Sequence, residues 1–136
     1  MTTEAYPLQW PIGWERAEFP RRSRFGRDRS PTIAEGRDKI VMELRNLTKE
    51  QNEFKYVISS NLKLNKGGSV RSSQRQPEDK GIAVYFMWEG QQKVIACDTY
   101  DKVGCNLWAI GRTINALRQI KRDACTELLN LSLIHI

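Results

Sequence analysis

Two apolar segments joined by a two-residue Glu-Gly step constrain the fold of this chain more than any other feature. The segment GIAVYFMW ends at Trp88, the segment QQKVIACD begins at Gln91, and Glu89-Gly90 stands between them. Their β-branched and aromatic residues favour strands, and the glycine supplies the permissive backbone position that a tight turn requires. The pattern predicts two antiparallel strands over residues 82–88 and 92–97.

A helix is predicted upstream of this hairpin. The tetrapeptide T-I-A-E at Thr32–Glu35 is a capping box, and it predicts a helix over about residues 33–48. Apolar residues recur at helical spacing along one stripe, and charged residues are expected on the solvent side. The stripe is Ile33, Ile40, Val41, Leu44 and Leu47, and the charged residues are Arg37, Asp38, Glu43 and Arg45.

A second helix is predicted downstream, over about residues 99–122. Asp98 stands where an N-cap belongs, and Asp101 falls in the first turn, where the helix dipole favours a carboxylate. The apolar stripe of this helix is Val103, Leu107, Ile110, Ile114 and Leu117.

The remaining patterns complete an α+β architecture. FKYVISSN predicts a strand over about residues 54–60, and the Gly-, Ser- and Pro-containing residues 61–80 predict a long connection. The order is therefore αβββα, a small domain with a mostly antiparallel sheet and helices packed on one face. Double-stranded-RNA-binding domains share this order, which is a similarity of topology alone.

An extended arm is predicted ahead of this domain. Residues 1–31 contain four of the five prolines, which disfavours regular helix, and the α+β domain is expected over residues 32–130. Trp10 and Trp14 lie between these prolines. They could pack the arm onto the domain or offer a surface to a partner.

Positive charge is concentrated in two places, in a chain with a net charge of +6 and an isoelectric point near 9.4. The arm carries Arg21, Arg22, Arg24, Arg27 and Arg29, and the long connection carries Lys63, Lys66, Arg71 and Arg75 around Gly67-Gly68. The glycine pair lacks the Lys-Ser/Thr ending of a nucleotide-binding P-loop. Contact with a nucleic-acid phosphate backbone and a merely solvated basic surface both remain open.

Residues suited to catalysis are few, and we expect no enzyme, no cofactor and no metal. The one histidine, His135, lies in the last six residues, so no His-dependent triad is available. Asp98 and Asp101 could share a metal, but helix capping explains the same spacing. Cys97, Cys105 and Cys125 are an odd number with no close pair, which predicts reduced core thiols in a cytoplasm. No apolar run reaches the roughly 20 residues that span a bilayer.

Three segments resemble a known family. AYPLQWPIGWER, VISSNLKLNKGGSVRSSQRQPEDKGIAVYF and DTYDKVGCNLWAIGRTINALRQIKR are similar to the N-terminal region of J-domain-containing proteins of bacteriophages and related mobile elements. The similarity runs from residue 5 to about residue 130. The resemblance implies a bacterial or phage-infected cytoplasm and a region that recognises a client, nucleoprotein or partner.

In that family a J domain follows, and its His-Pro-Asp tripeptide stimulates an ATP-hydrolysing chaperone. No His-Pro-Asp occurs in this sequence, so a chaperone is expected as a partner only through a J domain outside it. Residues 131–136, LSLIHI, are what the DNA sequence CTG TCT CTT ATA CAC ATC would encode, and that sequence resembles a transposon-end adapter from sequencing libraries; the alternative is a genuine apolar tail. We therefore expect these six residues to be non-native read-through and the chain to be truncated.

The expected function is that of a non-enzymatic accessory or binding domain of a phage-type J-domain-containing protein. The alternative is a domain that binds nucleic acid without sequence preference. For either ligand, the expected binding residues are Trp10, Trp14, the five arginines of the arm and the four basic residues of the long connection.

Overall fold

The first five elements of the chain follow each other in the predicted αβββα order, and a two-residue strand that was not predicted comes after them. The computed structural model describes residues 3–22, 25, 29–52, 54–67 and 74–123, together with the backbone of residues 134–135. The elements are α1 (Ile33–Leu47), β1 (Tyr56–Ser59), β2 (Ile82–Trp88), β3 (Gln91–Cys97), α2 (Val103–Arg122) and the two-residue β4 (Ile134–His135). The α+β fold class predicted from the sequence is confirmed.

The sheet has the order β1-β2-β3-β4, and every neighbouring pair is antiparallel. Glu89 and Gly90 connect β2 to β3 with φ angles of 52° and 77°, so both turn residues occupy the left-handed region that short hairpin turns use. Strand β4 pairs with Lys93 and Val94 of β3, and it lies in the segment that the sequence predicts to be non-native.

One face of the sheet packs against both helices. Alternate residues of β2, from Ile82 to Trp88, point into a core that contains the apolar stripes of α1 and α2. All five predicted stripe residues of α2 are buried, whereas Val41 of the α1 stripe is only partly buried. The helices therefore cover a single face, as predicted.

The two helices run parallel and approach closely. Gly36 of α1 lies against Leu107 of α2, and further along the pair Lys39 lies against Gly111. A Cβ atom on Gly104 would come within 2.1 Å of the Pro31 carbonyl oxygen, so only glycine fits at this point of α2. Because the helices are parallel, the positive ends of their dipoles lie at the same end of the molecule.

The other face of the sheet is covered by the N-terminal arm. Ala83, Tyr85 and Val94 form a second apolar cluster, against which Leu8 and Trp14 of the arm pack. Strand β2 is therefore buried on both faces, which explains why its sequence is apolar at nearly every position instead of alternating.

Glu43 corrects one sequence prediction, because it is 1% exposed rather than on the solvent side. Its carboxylate accepts hydrogen bonds from Asn115 Nδ2 (2.9 Å) and Arg118 Nη2 (3.2 Å) of α2, and Lys39 Nζ lies 2.9 Å away. Burial alone would raise the pKa of Glu43, but these partners hold it below its ordinary value. The residue joins the two helices through a buried polar contact.

Candidate nucleic-acid interface

The first part of the arm is fastened to the sheet by hydrogen bonds. The backbone N–H of Leu8 donates to Asn61 Oδ1 (3.0 Å), and that of Gln9 donates to Ser59 Oγ (2.8 Å). The Tyr85 hydroxyl, on the covered face of the sheet, donates to the Gln9 carbonyl (2.7 Å). These bonds join the arm to residues at the end of β1 and in β2.

The two tryptophans of the arm are half-buried and engaged within the molecule. Trp14 packs on the sheet, Trp10 Nε1 donates to the Trp14 carbonyl (2.9 Å), and the Arg16 guanidinium lies 4.4 Å from the centre of the Trp10 ring. The large apolar side chains that the described part of the arm presents to solvent are instead Tyr6, Ile12 and Phe19, which are 49%, 97% and 84% exposed.

Arg16 bridges two carboxylates and so forms a clamp, which we define as Arg16, Asp79 and Asp98. Its Nε donates to Asp98 Oδ2 (2.7 Å), and its Nη2 donates to Asp79. Asp98 also accepts from the Ala17 backbone N–H (2.9 Å). Burial alone would raise the pKa of Asp79, but the hydrogen bonds from Arg16 and the Gly81 backbone hold it below its ordinary value.

The clamp overturns the predicted capping roles of Asp98 and Asp101. Helix α2 begins at Val103 rather than at residue 99, and its N-cap is Lys102, whose side chain makes no capping hydrogen bond. Asp98 is engaged by the arm instead, and Asp101 is an exposed residue ahead of the helix. The capping box predicted for α1 is confirmed, because Thr32 and Glu35 bond each other reciprocally.

After the clamp, the arm runs beside the start of α2. The Arg21 backbone N–H donates to the Thr99 carbonyl (2.9 Å), and the Asp101 N–H donates to the Arg21 carbonyl (3.0 Å). The ring of Phe25 then contacts Tyr100, with 5.2 Å between ring centres. The side chains of Arg21 and Arg22 are exposed at this point.

The other arginines of the arm are placed differently. Arg29 forms an ion pair with Glu35 at the start of α1, and its pKa is raised by the hydrogen bond to that carboxylate. Arg24 and Arg27 lie outside the described residues.

The long connection returns to the same end of α2. Gln76 Oε1 accepts a hydrogen bond from the Val103 backbone N–H (2.9 Å), so a residue 27 positions away satisfies the first amide of the helix. Gln74 is bonded to both backbone groups of Lys63 (2.9 and 3.1 Å). Arg75, between these two glutamines, is exposed.

Four exposed cations thus gather where α2 begins, and we refer to Arg21, Arg22, Arg75 and Lys102 as the cationic end. Within the described ranges, none of the four side chains forms an ion pair. Lys63 and Lys66 are also exposed, and neither forms an ion pair with a described residue. Arg71 lies outside the described residues. Nearby exposed carboxylates belong to Asp101 and Glu78.

Lys102 and Gln76, which both lie at the start of α2, are not among the residues that the sequence predicts for a binding site. Asp98 occupies the predicted cap position, and a lysine at a helix start opposes the helix dipole, so the pattern does not predict Lys102 as the N-cap. Gln76 caps α2 from a distant loop, and nothing in its neighbours marks that contact. The position of Lys102 immediately before the apolar stripe of α2 is the sequence signal from which its place at the helix start could be predicted.

Other residues with reactive side chains are engaged in the fold. Cys105 is buried, and the partly buried Cys97 Sγ donates to Asn106 Oδ1 (3.3 Å), while Cys125 lies outside the described residues. In the part of the chain that the structure describes, no three His, Cys, Asp or Glu side chains are grouped to hold a metal ion. The described helices include none that is long and apolar enough to cross a membrane.

Comparison of the chain with protein-family models, with curated proteins and with solved structures finds no significant match.

Proposed function

We propose that this chain is a non-enzymatic domain whose cationic end binds the phosphate backbone of nucleic acid. One observation carries the proposal: hydrogen bonds to Thr99, Asp101 and Val103 bring the arm and the long connection, which are far apart in sequence, to the start of one helix. Both segments deliver exposed, unpaired cations to that place.

The chemistry of this end suits phosphate oxygens. Arginine and lysine side chains neutralise phosphates and release their counterions, and such contacts recognise the backbone without reading the bases. The parallel N-termini of α1 and α2 add the positive ends of two helix dipoles to the same region. The ligand class is therefore a nucleic acid recognised without sequence preference.

The test is a fluorescence-anisotropy titration of the full chain against labelled single- and double-stranded DNA and RNA. Duplex RNA is included because double-stranded-RNA-binding domains share the αβββα order. We expect binding at low salt that weakens steeply toward physiological salt, with a logarithmic slope near −0.9 for each neutralised phosphate of duplex DNA.

A matched pair of variants locates the site. Replacing Arg75 and Lys102 with glutamine should weaken binding and reduce the salt slope by roughly one to two. The control replaces Lys49 and Arg122 with glutamine, which removes the same charge at the opposite ends of the helices. Equal losses in both variants would show that net charge alone drives binding and would contradict the proposed site.

A second candidate is the accessory domain of a phage-type J-domain-containing protein that binds a protein partner in a bacterial cytoplasm. The similarity of the three segments supports it, and so do the exposed Ile12 and Phe19 on the arm. Apolar side chains of this size left in solvent are typical of interaction sites. Absence of nucleic-acid binding at low salt would favour this candidate and direct the search to a protein that contacts the arm.

A further inference from the structure

We infer that the clamp of Arg16, Asp79 and Asp98 positions the cationic end, so that affinity for nucleic acid depends on a carboxylate that touches no phosphate. The inference rests on the proposed function and assigns Asp98 as its positioning residue. One short stretch, residues 98–101, holds the arm at two places.

The first anchor is the stronger of the two. Asp98 accepts two bonds from the arm, from Arg16 Nε and the Ala17 N–H, and its side chain is only 12% exposed. Hydrogen bonds to a charged, largely desolvated group are roughly twice as strong as neutral ones. The second anchor consists of the two backbone bonds of Arg21, supplemented by the Phe25 ring contact with Tyr100.

Loss of the first anchor frees the segment that leads to Arg21 and Arg22. Glu18, Phe19 and Pro20, between the anchors, are exposed, so they add little packing of their own. In a released segment the arginine side chains sample many positions. Ordering them on a phosphate backbone then costs conformational entropy, and this cost weakens binding. Affinity falls even though no cation has been removed.

Electrostatics alone predicts that loss of the Asp98 carboxylate increases the affinity for nucleic acid, whereas loss of the clamp decreases it. Replacing an aspartate with alanine raises the net charge by one and should tighten contact with a polyanion. Asp98→Ala is expected to weaken binding because it opens the clamp. Asp101→Ala is the matched control, since it makes the same charge change three residues away on an exposed side chain.

The experiment compares the two variants and the unmodified full chain by anisotropy on labelled duplex DNA and duplex RNA at low salt. We expect Asp101→Ala to bind at least as tightly as the unmodified chain and Asp98→Ala to bind roughly ten-fold more weakly. Equal affinity of the two variants would overturn the clamp while leaving the proposed function intact. Failure of the unmodified chain to bind either probe would overturn both.

Amide hydrogen exchange supplies a readout that general destabilisation would not reproduce. The Arg21 and Asp101 amides, bonded across the arm and the stretch before α2, should exchange faster in Asp98→Ala, whereas the amides of β2 should keep their protection. Unchanged exchange at Arg21 and Asp101 would overturn the inference, because the arm would then be in place without the clamp. Faster exchange throughout β2 would also overturn it, since a global loss of stability would explain the weaker binding.

Discussion

At the scale of single residues, the buried side chain of Asn106 makes several hydrogen bonds beside the candidate interface. Its buried amide donates to the Lys80 and Tyr100 carbonyls (2.9 and 3.1 Å) and accepts from the Tyr100 N–H (2.9 Å). One side chain therefore holds the end of the long connection and the β3–α2 junction together, which explains why an asparagine is tolerated at the inner side of a helix.

We expect Asn106→Ala to reduce the free energy of unfolding by about 3 kcal/mol, because it leaves partly buried backbone groups of Lys80 and Tyr100 without this partner. Urea denaturation monitored by circular dichroism would measure the loss. The control is Gln119→Ala, an exposed change on the same helix, which should stay within about 0.5 kcal/mol of the unmodified chain. Similar stability of the two variants would contradict the conclusion that Asn106 holds the long connection and the β3–α2 junction together.

A second residue-scale prediction concerns pH. The hydrogen bond from Arg29, followed by that from the Thr32 backbone, lowers the pKa of Glu35 from 4.5 to about 2. Since the pKa in the folded chain lies below that in the unfolded chain, the stabilisation is complete above about pH 4.5 and is lost as the pH falls toward 2. The melting temperature of Glu35→Gln should therefore be below that of the unmodified chain at pH 6 and should converge with it near pH 2. A difference that is the same at both pH values would contradict this assignment.

At the scale of elements, the close parallel pairing of α1 and α2 depends on residues without side chains. Gly104→Ala would place a methyl group 2.1 Å from the Pro31 carbonyl oxygen, so the helices or the arm must move apart. We expect a loss of about 3 kcal/mol, at the upper end of overpacking effects. Gly67→Ala is the control, because a Cβ there meets no atom within 4 Å and stability should hardly change.

Elements that depend on a local sequence pattern could be predicted from the sequence. Features that depend on a residue far away in the chain could not. The hairpin around Glu89-Gly90 and the capping box of Thr32 are local, and both were predicted correctly. The start of α2 was predicted too early because Asp98 looks like a cap, whereas its partner Arg16 lies 82 positions away.

The same physical limit applies to the candidate interface. The arginine run and the basic connection are visible as composition, but the meeting of Arg21 and Arg75 at the start of α2 depends on Gln76 and on the backbone of Arg21. Glu43 was placed on the solvent side because periodicity within α1 carries no information about Asn115 and Arg118 on the facing helix.

At the scale of the whole molecule, the arm packs on the face of the sheet that the helices do not cover. Removing one of its apolar contacts by Trp14→Ala should expose part of the cluster of Ala83, Tyr85 and Val94 and lower the free energy of unfolding by about 2 kcal/mol. Binding of a dye that fluoresces on apolar surfaces should rise together with this loss. Ile12→Ala, a change at a 97% exposed side chain of the same arm, should alter neither quantity.

The sequence separations of the arm contacts also set an order of events during synthesis. Leu8 bonds Asn61, Gln9 bonds Tyr85 and Arg16 bonds Asp98, over 53, 76 and 82 positions. Contacts so distant along the chain form only after the intervening residues exist, and a ribosome adds roughly 5–20 residues per second. The segment around Arg21 is made before its partners Thr99 and Asp101, so it must wait for several seconds before its docking site exists.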